Sequence, residues 1–208
     1  MLHLSYGQCR LLLTLMEEVD GVYQGGSIKF PTVPDDFESG IMRGRFNPHD
    51  GQLYVVGLRV WQSNGARFGA FHRVRYTGKP VRMPTAIEVQ KNYLAVTFTD
   101  PLDAVSAGDD QNWAIDQWNY QWTKNYGSKM YSIQDPAQVV GDKKQGEFGG
   151  DAITIKGISL SNGKKTVIIE VDGLKPVMQS RIRFNIKAAD GAVLKQEIFH
   201  TINRVPAK

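Results

Sequence analysis

"CRLLLTLMEEVDGVYQGGSIKF", Cys9 to Phe30, sets two largely apolar runs on either side of the dipeptide Asp20-Gly21. Asp-Gly between such runs signals a tight β-hairpin, because both turn residues tolerate positive φ. The chain is therefore expected to open on two antiparallel strands, and the same punctuation continues outward. "PTVPDDFESG" (Pro31–Gly40) is a polar loop with two prolines, and "IMRGRF" (Ile41–Phe46) enters the turn "NPHDG" (Asn47–Gly51). "QLYVVGLRVW" (Gln52–Trp61) is apolar at both alternating sets of positions, which predicts a central strand covered on both faces. "GAFHRVRYTG" (Gly69–Gly78) alternates, as a half-exposed strand does.

A break follows at "TGKPVRMPT", where Pro80 and Pro84 flank a short extended linker. Beyond it about seven further strands are expected, the number of an immunoglobulin-like sandwich. The turns "SNGKK" and "AADGA" carry Asn-Gly and Asp-Gly. No run of apolar residues keeps helical spacing. The expected fold is all-β in two parts: residues 1–78, a linker at 79–84, and a sandwich over 85–208.

With 208 residues the chain can bury a real core. Its lone cysteine, Cys9, excludes an internal disulfide, a thiolate zinc cluster and a c-type haem, and reads as a buried thiol beside an apolar run. The longest apolar run, "LLLTLM", is too short to span a bilayer, and no signal peptide is visible, so a soluble chain is expected. Between Ile41 and Pro80 the charged residues are Arg43, Arg45, Arg59, Arg67, Arg73, Arg75 and Lys79 against Asp50 alone. Such a patch attracts anions. These arginines alternate with apolar residues, as solvent-facing strand positions do, and no nucleic-acid-binding motif accompanies them. No nucleic-acid partner is expected.

The stretch "SGIMRGRFNPHDGQLYVVGLRVWQSNGARFGAFHRVRYTGKP" resembles the final blade of bacterial β-propeller proteins related to quinone-dependent sugar dehydrogenases. "LHLSYGQCRLLLTLMEEVDGVYQGGSIKFP" is similar to the blade before it. The stretch from Pro84 onward, with "VTFTDPLD" and "IKAADG", resembles the immunoglobulin-like domain that follows such propellers. The resemblance implies a partial β-propeller of about two blades followed by an immunoglobulin-like β-sandwich. It also implies a secreted or periplasmic parent protein, often fused to cytochrome c domains. A propeller needs about four blades or more, so the family's cofactor chemistry does not carry over. Two blades leave open sheet edges, so the first eighty residues are expected either to fold back on the sandwich or to form a homo-oligomer.

Residues for catalysis are sparse. No Gly-x-Ser-x-Gly elbow occurs, and His3, His49, His72 and His200 are scattered. Asp35, Asp36 and Glu38 cluster in the long loop, and Asp50 sits with His49 in the turn. Oxygen-rich loops can hold calcium, although these groups supply only part of its shell. Lactonase-type propeller enzymes, which resemble this architecture, place calcium in the central channel; that resemblance implies the alternative function, a calcium-assisted hydrolase of lactones or esters in which the ion polarises the carbonyl.

The remaining signal is "NWAIDQWNYQWTKNYGSKMY" (Asn112–Tyr131), which holds three of the four tryptophans. Read as one strand, it sends Trp113 and Ile115 to one face and Trp118, Tyr120 and Trp122 to the other. The second row either seals against partners such as Trp61, Phe68 and Phe71, or grips a carbohydrate, with Tyr126 and Tyr131 extending the surface. The expected role is a non-catalytic binding or assembly module of a secreted carbohydrate-active or redox protein, taking a carbohydrate or other small molecule. Trp118, Tyr120, Trp122 and Tyr126 are its candidate ligand contacts, and no cofactor is assigned beyond the calcium of the alternative reading.

Overall fold

The computed structural model describes residues 1–124, 127–142 and 149–207. The chain is all-β, built from antiparallel sheets of which none closes among the described residues. By its internal contacts it divides into two compact units, Met1–Thr14 with Lys29–Met83, and Leu15–Ile28 with Pro84–Lys208.

In the first unit, β1 (Leu2–Ser5) pairs antiparallel with the near half of β2 (Arg10–Val19), from Leu2 opposite Leu13 to Ser5 opposite Arg10. The partner strand of the opening hairpin is β3 (Val22–Lys29). Beyond the long loop come β4 (Gly40–Phe46), β5 (Leu53–Leu58) and β6 (Gly69–Val74), an antiparallel meander with β5 in the middle. Leu11, Ile41, Leu53 and Val55 form the unit's core, with Leu2, Leu4, Phe30, Phe37 and Val74 packed around it. Cys9 is buried, as its apolar setting predicts.

The middle strand departs from expectation. β5 is central in its sheet, but only its Leu53–Val55 face is covered; Val56 and Leu58 remain 41% and 38% exposed. Apolar character on both alternating sets therefore does not mean two covered faces here. Trp61, Phe68 and Phe71 are exposed as well.

The second unit is a β-sandwich. Its strands after the linker are β7 (Pro84–Val89), β8 (Tyr93–Phe98), β9 (Trp113–Trp118), β10 (Met130–Tyr131), β11 (Val139–Gly141) and β12 (Asp151–Ile153). Then come β13 (Ile155–Ser161), β14 (Thr166–Val171), β15 (Val177–Lys187) and β16 (Val193–Ile202). One sheet runs from the far end of the β2–β3 hairpin through β16, β15 and β9 to β12; the other has the order β13-β14-β8-β7. The hairpin turn has the geometry its sequence demands, with φ of 47° at Asp20 and 77° at Gly21.

Aromatic rings join the two sheets. Phe98 of β8 meets Phe184 of β15 edge-on at 5.5 Å, and Trp113 of β9 lies 5.1 Å from Phe184. Each fully buried ring of this kind contributes about 1.5–3 kcal/mol over leaving it in water. Trp113 also donates its indole N–H to the Ala107 carbonyl at 3.0 Å. That carbonyl belongs to a single helical turn, α1 (Ala104–Gly108), capped by the Asp103 carboxylate on the Ser106 amide. On the outer face of β9 and β15, Asp116 is buried and ion-paired to Arg181, with Arg183 at 3.4 Å. No helix among the described residues is long and apolar enough to cross a bilayer.

Candidate functional site

β9 stops at Trp118, and the reason is tertiary. Asn119 exchanges backbone hydrogen bonds with Tyr131, both 2.9 Å, and its side-chain carbonyl accepts the Met178 amide at 2.9 Å. The next amide, of Tyr120, meets the Met178 sulfur at 3.2 Å, and Gln121 donates its amide to Ser128 Oγ at 2.9 Å. These contacts pull the chain out of the ladder and into a loop.

The expected single row of rings therefore does not form. Trp118 is wholly buried. A Cβ on Gly150 would lie 2.9 Å from its ring and 2.8 Å from the Gln117 carbonyl, so a bare glycine backbone closes over the indole. Tyr120 stands edge-on to Trp118 at 6.5 Å, half-buried. Trp122 is 99% exposed. Of the four candidate contacts, Trp118 is corrected to a buried residue, because the Gly150 backbone closes over the face on which the alternation places it. Tyr126 lies outside the described residues.

What the loop does build is a groove. Two adjoining hollows of about 460 Å³ and about 510 Å³ share Tyr120, Gln121 and Met178. Tyr131, Ser132 and the ends of β15 and β16 wall the first; Trp122, Thr123 and Ser128 wall the second. These volumes fall within the range of small-molecule sites.

The walls are held by hydrogen bonds. The Asp151 carboxylate accepts Ser132 Oγ at 2.8 Å and the Ile133 amide at 2.7 Å, while Ser132 Oγ in turn accepts the Asp135 amide at 3.0 Å. Gln121 Nε2 donates to the Pro136 carbonyl at 2.7 Å, and Thr201 Oγ1 donates to the Met178 carbonyl at 2.9 Å. Among the described residues no lining side chain is charged. The lining offers rings, a thioether, amides and hydroxyls, a set suited to gripping a neutral, flat, hydroxylated molecule.

No protein-family model, curated protein or solved structure matches this chain.

The carboxylates of the alternative reading are engaged elsewhere. Arg10 Nε lies 2.6 Å from Asp36 Oδ1, and this bond holds the Asp36 carboxyl below its usual range. Lys29 Nζ reaches Asp35 at 3.2 Å, and Arg67 reaches Glu38 at 3.2 Å. Asp50, on a separate turn with His49, caps the Gln52 amide and accepts the Tyr54 hydroxyl at 2.8 Å, which lowers its pKa. Among the described residues no three His, Cys, Asp or Glu side chains gather where an ion would sit. Asp35, Asp36, Glu38 and Asp50 do not fit a calcium shell of six to eight oxygens.

Tyr120, Trp122 and Tyr131 belong to the aromatic stretch that the sequence singles out. Met178 and Thr201 carry no local signal. They reach the groove only because β15 and β16 end beside the loop.

Proposed function

We propose that the chain is a non-catalytic binding module that takes a neutral carbohydrate in the groove around Tyr120, Trp122 and Tyr131. The observation that carries the reading is the lining itself, which combines aromatic rings with amide and hydroxyl groups and has no charged side chain among the described residues. Trp and Tyr present large rigid faces at low entropic cost, and their polar tips stay available to hydroxyls. Trp122 is almost fully exposed, so its face is open to a ligand before anything binds.

The test is titration of the full chain with a panel of neutral polysaccharides and their oligosaccharides, followed by calorimetry. Trp122→Ala and Tyr131→Ala are expected each to weaken binding at least tenfold while leaving the melting temperature within a few degrees. Absence of binding to every neutral glycan tested sinks the reading, as does binding that both variants retain.

A further inference from the structure

The charge of the chain is concentrated in one unit. The first unit holds ten Lys and Arg residues against four acids, and the second holds fifteen against seventeen. The overall +4 is thus the sum of +6 and −2. Three of the first unit's four acids are taken by Arg10, Lys29 and Arg67.

Strand register places the remaining arginines. On the uncovered face of the β4–β5–β6 sheet, Tyr54 stands directly between Arg45 and Arg73, and Val56 between Arg43 and Phe71. The Tyr54 and Phe71 rings stack at 5.6 Å, 28° from parallel, and Phe71 is 67% exposed. Among the described residues Arg43 and Arg45 donate only to neighbouring backbone carbonyls, those of Met42 and Gly44. The fourth acid, Asp50, holds the Tyr54 hydroxyl at the rim and lies near Arg73. Alternation along the strands predicts solvent-facing positions for these arginines. The register adds that they share their face with stacked rings.

We propose that this face binds single-stranded nucleic acid without strong sequence preference. Guanidinium groups bind phosphate in a planar, two-pronged geometry, and exposed rings between them give bases a surface to stack on. An acidic peptide would use the arginines and leave the rings idle. An acidic polysaccharide would gain little from Phe71, which has no polar tip for a hydroxyl. The site is separate from the groove of the proposed function and does not depend on it.

The test is fluorescence anisotropy of the full chain with a labelled short oligothymidylate at about 50 and about 200 mM salt, with heparin as a second probe. Binding that weakens steeply with salt is expected. Phe71→Ala should cost about tenfold at fixed salt, and Phe71→Leu, which keeps the apolar bulk, should cost as much. Replacing Arg43, Arg45 and Arg73 together by alanine should flatten the log–log salt slope by about 2. Absence of binding at the lower salt overturns the proposal. So does binding that neither Phe71 variant weakens, or heparin binding that equals the oligonucleotide's and is equally indifferent to Phe71.

Discussion

Ser180 and His200 face each other across β15 and β16, both turned into the sandwich, and neither side chain has a hydrogen-bond partner among the described residues. Burial alone pushes the His200 pKa down from 6.5 to about 4, so the folded protein keeps the imidazole neutral. The unfolded chain takes up its proton near 6.5, and the folded one only near 4. Stability from this group is therefore complete above about pH 6.5 and drains away as the pH falls toward 4, by about 3 kcal/mol in all. Glu17, whose carboxyl is raised by burial, acts in the opposite sense at the lower end of that window. The comparison that isolates His200 is urea unfolding of wild type and His200→Leu at pH 7.5 and pH 4.5. The variant should lose much less of its midpoint on acidification, and equal losses would show that His200 is not the acid-sensitive group.

Two tryptophans four residues apart should behave in opposite ways. Trp118→Ala empties a fully enclosed site and is expected to cost about 3–5 kcal/mol. Trp122→Ala removes a side chain with almost no protein around it and should change stability by less than about 0.5 kcal/mol. Denaturant midpoints of the two variants decide it, and similar values would contradict the placement of Trp118 in the core.

The buried ion pair on the outer face of β9 makes a different demand. Asp116→Ala leaves the Arg181 guanidinium, 11% exposed, without its carboxylate, and should cost about 3 kcal/mol. Asp116→Leu with Arg181→Met removes both charges and should recover most of that loss. Thermal melts of the single and double variants check this. A double variant no better than the single means that the pair is a net source of stability.

The loop carboxylates should prove dispensable. Arg10 and Asp36 are 37% and 50% exposed, so Asp36→Ala is expected to cost less than about 1 kcal/mol. Adding millimolar calcium or a chelator should leave the melting temperature unchanged, because a bound ion would raise it by mass action. A calcium-dependent rise in scanning calorimetry, lost in Asp36→Ala, would restore the metal reading.

Turns were the most legible part of this sequence, because their residues act locally. Asp20-Gly21 and Asn162-Gly163 adopt the positive φ values that Asp, Asn and Gly tolerate. Strand ends were less legible. Trp118 and Tyr120 fit one alternating pattern, but the ladder is cut by Asn119 bonding to Met178, 59 residues away, and alternation carries no trace of that. The same limit applies to β5, whose apolar residues fill both faces although the fold covers one. Of the groove, the aromatic share announced itself by composition; Met178 and Thr201 did not, since an ordinary strand end becomes a wall only when another segment arrives beside it.

The first hairpin decides where this chain can be cut. Residues Gly25 to Ile28 form a β-ladder with Ile198 to Thr201, and Gln24 accepts the amides of Asn203 and Arg204. A truncation beginning at Pro84 follows the apparent linker, yet it strips β16 of its neighbour and leaves a bare apolar edge ready to recruit other copies. Excision of the sandwich as a well-behaved monomer therefore requires carrying Leu15 to Ile28 along, by circular permutation or as a separate complementing peptide.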